Sequence, residues 1–170
     1  MINPLRLLVP VLLASLIGCN STSIDSPRFD IPAGAIDLAW GSTGAAHIAK
    51  GYSSGLRSAE RTLIEDEAAW EAAWARVYAN VLPQPSLPVI DFNRYSVILV
   101  ALGERNTGGY AIEVTRLAST SDYLYAGITS TSPGSRCSTS QALTQPFDIV
   151  RIPRAHPPLV FAERSVEHEC

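Results

Sequence analysis

The sequence predicts a mainly β, α+β domain: an antiparallel sheet or a small barrel carrying one packed α-helix at about residues 67–80. Three observations lead there. Short apolar or alternating runs recur along the chain without the βαβ rhythm of a parallel sheet, and only one stretch switches to helical spacing. Residues 95–118, YSVILVALGERNTGGYAIEVTRLA, then join a nearly unbroken apolar run, a Gly-rich turn and an alternating run. Residues 96–102 have the β-branched character of a strand buried on both faces, while Tyr110, Ile112 and Val114 point one way and Glu113 and Thr115 the other. The stretch is therefore expected to form a central β-hairpin, with residues 106–109 supplying its turn.

A chain of 170 residues that is 46% apolar suits one domain with one core. The formal net charge of -3, with 13 scattered Lys and Arg residues, leaves no electrostatic footprint for nucleic acid. At the N-terminus, Arg6 precedes a short apolar run at residues 7–17 and then Leu16-Ile17-Gly18-Cys19. A run of about 11 residues suits an export signal, whereas a spanning helix needs about 20. The tetrapeptide resembles the bacterial lipobox, which implies cleavage before Cys19, acylation of its thiol and α-amine, and firm lipid anchoring. An ordinary secretory signal is the alternative. Asn20 is not the Asp that retains such lipoproteins in the inner membrane, so the resemblance implies an outer-membrane protein of the cell envelope, facing the periplasm or the surface. Residues 1–18 are thus read as signal, 19–35 as a flexible Ser-, Thr- and Pro-rich tether, and 36–170 as the domain.

In chain order, residues 36–40 and 47–52 are expected strands. Gly51-Tyr52-Ser53-Ser54-Gly55 matches the G-x-S-x-G nucleophile elbow, but no helical face follows and about 115 residues are too few for the parallel α/β sheet that an elbow needs. A serine hydrolase using Ser53 is the weakest of the functional alternatives, and a polar turn between strands the stronger reading. Residues 60–64 read as a strand. Asp66 is then an N-cap for a helix whose Trp70, Trp74, Val77, Tyr78 and Val81 share one face, a core stripe rather than a ligand platform. Three prolines in residues 82–88 end it. Residues 123–131 form a strand with Leu124, Ala126 and Ile128 on one side. Residues 132–140 are a loop holding Cys137, residues 147–152 a strand bracketed by Pro146 and Pro153 as at an edge or a strand end, and residues 159–163 a last short strand.

Signals for chemistry are sparse. His47, His156 and His168 have no metal-ligand spacing, Gly108-Gly109 opens a strand rather than a phosphate-binding helix, and neither metal nor cofactor is expected. Polar loop residues stand out instead: Glu104, Arg105, Asn106 and Thr107 before Gly108, Gly109 and Tyr110, and Gln141, Thr144 and Gln145 before Phe147. Loops held by a rigid sheet commonly carry recognition.

Two of these segments resemble the C-terminal domain of the PrcB family, named for the lipoprotein subunit of a bacterial cell-surface protease complex. One is Gly103-Glu104-Arg105-Asn106-Thr107-Gly108-Gly109-Tyr110 running into Ile112 and Val114. The other is Pro133-Gly134, Cys137, then Thr144-Gln145-Pro146-Phe147 with Val150, Ile152 and Pro153. The upstream helix with Trp70 and Trp74 is similar as well. The resemblance implies a non-enzymatic accessory lipoprotein that binds an envelope protein, a protease among the candidates. A weaker similarity, confined to Asn106-Thr107-Gly108-Gly109-Tyr110, is to chagasin-like protease inhibitors, whose loop has a Pro and a Thr that this chain lacks.

With Cys19 acylated, Cys137 and Cys170 remain as an even pair in an oxidising compartment and are expected to form a disulfide, two free thiols being the rival reading. Closing a loop of about 34 residues would stabilise the fold by roughly 3–4 kcal/mol in the chain-entropy treatment. Thiol titration of the unfolded, unreduced protein checks this: neither cysteine should react before reductant is added.

Overall fold

Strand β4 (Tyr95–Ala101) shows why this chain folds in layers. Its even and odd residues enter different cores. Val97, Leu99 and Ala101 pack with the helix, and Ile98 and Val100 pack against a second sheet, the four residues Val97 to Val100 being 0% exposed. The computed structural model describes residues 28–154 and 157–170. The expected signal, Cys19, the start of the expected tether and His156 lie outside the described residues.

One sheet has the order β1 (Ile36–Asp37), β5 (Ala111–Ser119), β6 (Leu124–Pro133), β8 (Leu159–His168), and the other β2 (Ala46–Gly51), β7 (Phe147–Pro153), β4, β3 (Glu60–Ile64). Helix α1 (Glu67–Val77) covers the outer face of the second sheet. The architecture is therefore helix on sheet on sheet, mainly β and not a closed barrel. All pairs are antiparallel except β6 with β8, which run parallel from Leu124↔Leu159 to Pro133↔His168. Parallel neighbours need a crossover, and β7 in the opposite sheet supplies it.

The expected central hairpin does not form. Strand β4 gives one edge to β3 and the other to β7, from Tyr95↔Pro153 to Ala101↔Phe147, so no edge is left for β5. Residues 102–110 are instead a crossover between sheets. Strand β7 is an interior strand, and its prolines mark strand ends rather than a sheet edge. The last strand has ten residues, twice the expected length, because residues 163–168 form a polar edge whose charges break the hydrophobic period.

The helix is capped as the sequence implies. Asp66 is extended at φ -143°, and its carboxylate accepts from the Ala69 N–H at 2.8 Å. Trp70, Trp74 and Val77 are buried, and the helix ends at Val77, three residues short of the expected 80, with Tyr78 as its C-cap. The Pro-rich stretch folds back over it. Both indole N–H groups donate to carbonyls there, Trp70 to Pro88 and Trp74 to Pro85, each at 2.9 Å. At the other end, Arg76 forks onto Glu60 of β3 with two 2.8 Å bonds. This pairing holds the Glu60 carboxyl below its usual range.

Sheet contact begins inside the segment read as tether. Phe29 lies on the outer face of the first sheet, over Gly127 and under the Arg164 guanidinium at 4.5 Å. Trp74→Ala is expected to cost about 3–5 kcal/mol, since it removes a buried ring and orphans the Pro85 carbonyl. Urea denaturation measures it.

Candidate functional site

The two polar stretches singled out in the sequence meet at one end of the molecule. Gly103 starts the meeting. It sits at φ +74°, and a Cβ there would lie 2.8 Å from the Arg57 carbonyl oxygen, so only glycine lets the crossover pass so close to residues 57–59. The Glu104 N–H then donates to the Arg57 carbonyl at 3.0 Å. Arg105 and Thr144 form a two-way backbone bridge at 2.8 and 2.9 Å, Gly108 donates to Ser140, and the Thr144 hydroxyl donates to the Thr107 carbonyl at 2.9 Å. Gln145 donates its side-chain amide to Glu104 at 3.1 Å and its N–H to the Tyr52 carbonyl at 2.8 Å. Three loops, 52–59, 102–110 and 139–146, thus make one hydrogen-bonded platform.

Each expected contact residue has a definite place on it. Glu104, Asn106 and Gly109 are exposed, whereas Arg105, Thr107, Gly108, Tyr110 and Gln145 are half-buried. The Arg105 guanidinium turns inward, donating to the Leu102 carbonyl at 3.0 Å and lying 5.6 Å from the Tyr110 ring centre. Two residues passed over as contacts complete the outer surface: Tyr52, 64% exposed, and Leu143, 60% exposed. An apolar side chain inside each polar loop was the available signal. A shallow groove of about 410 Å³ runs between Tyr52, Gly108, Tyr110, Ser140 and Thr144.

Behind the platform, Cys137 and Cys170 form a disulfide with Cα atoms 5.2 Å apart. It fastens the start of the 134–146 loop to the end of β8, beside a backbone bond from Gly134 to His168. The G-x-S-x-G motif is used structurally. Ser53 is exposed on a loop that leads to β3 rather than to a helix, and Ser54 is buried with its hydroxyl donating to the Gln145 carbonyl at 3.1 Å. Gly55 caps the helix: its N–H donates to the Val77 carbonyl at 2.9 Å, and a Cβ would sit 2.3 Å from the Arg76 carbonyl oxygen.

Residues 96–153 match the family model described as PrcB C-terminal. Over that segment the chain is similar to the PrcB C-terminal family. The match runs from β4 to β7 and takes in loops 102–110 and 139–146, while α1, β3 and β8 fall outside it. No curated protein and no solved structure matches the chain.

The matched segment also meets β2 at a polar centre that the sequence reading missed. Asp148 on β7 is 0% exposed between the sheets. One carboxylate oxygen accepts from the Val114 N–H of β5 at 2.9 Å, and the other lies 2.9 Å from His47 Nδ1 on β2. The bond to Val114 satisfies a β5 N–H beyond the end of the short β1 ladder. His47 stacks on Trp40 at 4.8 Å, and its Nε2 faces Glu113 Oε1 at 3.8 Å, which Lys50 also holds at 3.1 Å. The centre ties the sheets together. An Asp inside the apolar run Phe147-Asp148-Ile149-Val150 was its signal.

The hydrogen bond to Asp148 raises the His47 pKa above its ordinary 6.5, with the charges of Asp148 and Glu113 adding to it and burial and Lys50 opposing. A raised folded-state pKa gives stability that is fully present below 6.5 and lost as pH rises through the folded value. Wild type should therefore lose stability relative to His47→Gln as pH rises above 6.5, in paired denaturation curves. A difference that stayed constant with pH would remove the assignment.

Proposed function

We propose that the chain is a non-catalytic envelope lipoprotein whose PrcB C-terminal segment binds another envelope protein, with a protease complex as the leading partner class. The single observation that supports this most is the platform itself. Polar stretches far apart in sequence converge there, and exposed Tyr52 and Leu143 lie on the two loops that are hydrogen-bonded to the one carrying exposed Glu104 and Asn106. Aromatic anchors with polar neighbours are the residues that carry interface energy. Rigid loops also lose little conformational entropy on docking.

The anchor in this reading is Cys19, acylated after cleavage of residues 1–18, on the resemblance of Leu16-Ile17-Gly18-Cys19 to a lipobox. Inhibition of the chagasin type is less favoured, because a plug must project into a cleft whereas residues 105–108 are bonded down onto residues 140–144. Hydrolysis through Ser53 is less favoured still, because β3 follows the motif.

Crosslinking pull-down from native membranes should recover a partner that a Tyr52→Ser, Asn106→Ala, Leu143→Ser variant binds at least about tenfold more weakly, a loss near 1.4 kcal/mol. All three side chains are exposed, so the variant should keep its circular dichroism and melting temperature. Unchanged recovery would sink the platform as the docking surface. Radiolabelled palmitate should enter the wild type and not Cys19→Ser.

A further inference from the structure

The two sheets close differently along their two long sides. Asp148 and His47 join them on the β2 side. On the other side, edge strands β3 and β8 face each other across a cleft bridged at mid-length by Arg61 and Glu163, with bonds of 2.8 and 3.0 Å. Beyond that bridge, about 410 Å³ of the cleft is lined by Leu63, Leu124, Ile152, Leu159 and Phe161, with Ser96 at its floor. On the near side, about 310 Å³ is lined by Arg105, Tyr110, Ser130, Thr131, Ser132 and Ser165. Inward residues run continuously along each wall, Arg61 and Leu63 on β3 and Leu159, Phe161, Glu163 and Ser165 on β8.

Among the described residues, two buried side-chain polar atoms have no hydrogen-bond partner: Ser96 Oγ and Arg105 Nε. They line the two halves of this one cleft. Ser96 is 1% exposed in the apolar half, whereas Arg105 lies in the polar half and is the one of the two that an anion would satisfy. The charges are unequal too. Glu163, which also lines the near volume, is neutralised by Arg61 through the fork, while the inward-turned Arg105 has a carbonyl and a ring beside it and, among the described residues, no carboxylate at ion-pair distance. A guanidinium in that setting favours an anion that can accept from Nε.

We propose that the cleft between β3 and β8 binds a small unbranched aliphatic carboxylate, its head at Arg105 among the Ser130, Thr131 and Ser132 hydroxyls and its chain passing under the Arg61–Glu163 bridge onto Leu63 and Phe161. The bridge crosses the cleft between the two volumes, which favours a slim chain over a peptide with side chains. The two volumes lie within the ordinary range for small-ligand sites. The site is separate from the outer face of the platform, since neither Tyr52 nor Leu143 lines it.

Isothermal titration of the disulfide-intact protein with decanoate, methyl decanoate, decanol and acetate tests this, with amide chemical shifts locating the site. Decanoate should saturate one site, at least about tenfold tighter than its ester and than acetate, and should shift Ser96, Arg105 and Ser130. Arg105→Gln should remove about tenfold or more of that affinity, as expected for a charged hydrogen bond. Because Arg105 also supports the loop, the comparison of acid with ester decides the matter without any substitution. No saturable binding, equal binding of acid and ester, equal binding of acetate, or shifts confined to Tyr52 and Leu143 would each overturn the proposal.

Discussion

Everything in this molecule follows from one sheet being covered on both faces. Strands β4 and β7 supply residues alternately to the helix core and to the core between the sheets, so neither can present a polar face to water. With β3 and β7 occupying its two edges, β4 can hand the chain on only by leaving the sheet. That exit is the crossover at residues 102–110. Its backbone groups, deprived of a ladder, find partners in Arg57, Ser140 and Thr144, and the platform is the result. The surface proposed for recognition is thus the by-product of a topological constraint.

The same burial explains the polar centre. A carboxylate placed wholly between two sheets is tolerable only when its oxygens are used, and Asp148 uses them on a backbone N–H of the facing sheet and on an imidazole. Removing either sheet's contribution would leave a buried charge with half its partners, so the interaction fixes how the sheets sit on each other as well as holding them. Register irregularities fall in both strands that meet it, between His47 and Ala49 and between Val114 and Arg116. Bulges of this kind re-aim side chains, and here they accompany the joint.

Local signals were legible and pairing was not. The strand at residues 60–64 was readable to the residue, the helix start was readable from Asp66, and the tryptophan stripe was readable as core, because each depends on near neighbours in sequence. The hairpin reading failed because a Gly-rich turn between two apolar runs looks the same whether the runs pair or part, and only the competing claims of β3 and β7 on β4 decide it. Half of β8 was invisible for another reason: a polar edge strand has no hydrophobic period to read. For the site, both polar stretches were visible while their contact was not, since the Arg105–Thr144 bridge spans residues remote in sequence. Tyr52 was hidden by the motif that contains it.

Anchoring at Cys19, as proposed, bears on how the platform would meet a partner. Phe29 is already fixed to the outer face of the β1-β5-β6-β8 sheet, so the chain between anchor and domain is ten residue steps, at most about 35 Å when fully extended. An anchor within that reach would keep the domain near the bilayer. Partners held in the same membrane would then meet the platform at high effective concentration, and modest intrinsic affinity would suffice. The disulfide matters in that setting because it secures the 134–146 loop, which supplies one of the platform's three loops. Reduction would be expected to loosen the platform before it unfolded the sheets, since the link fastens the 134–146 loop to the end of β8 and neither cysteine is itself part of an apolar core.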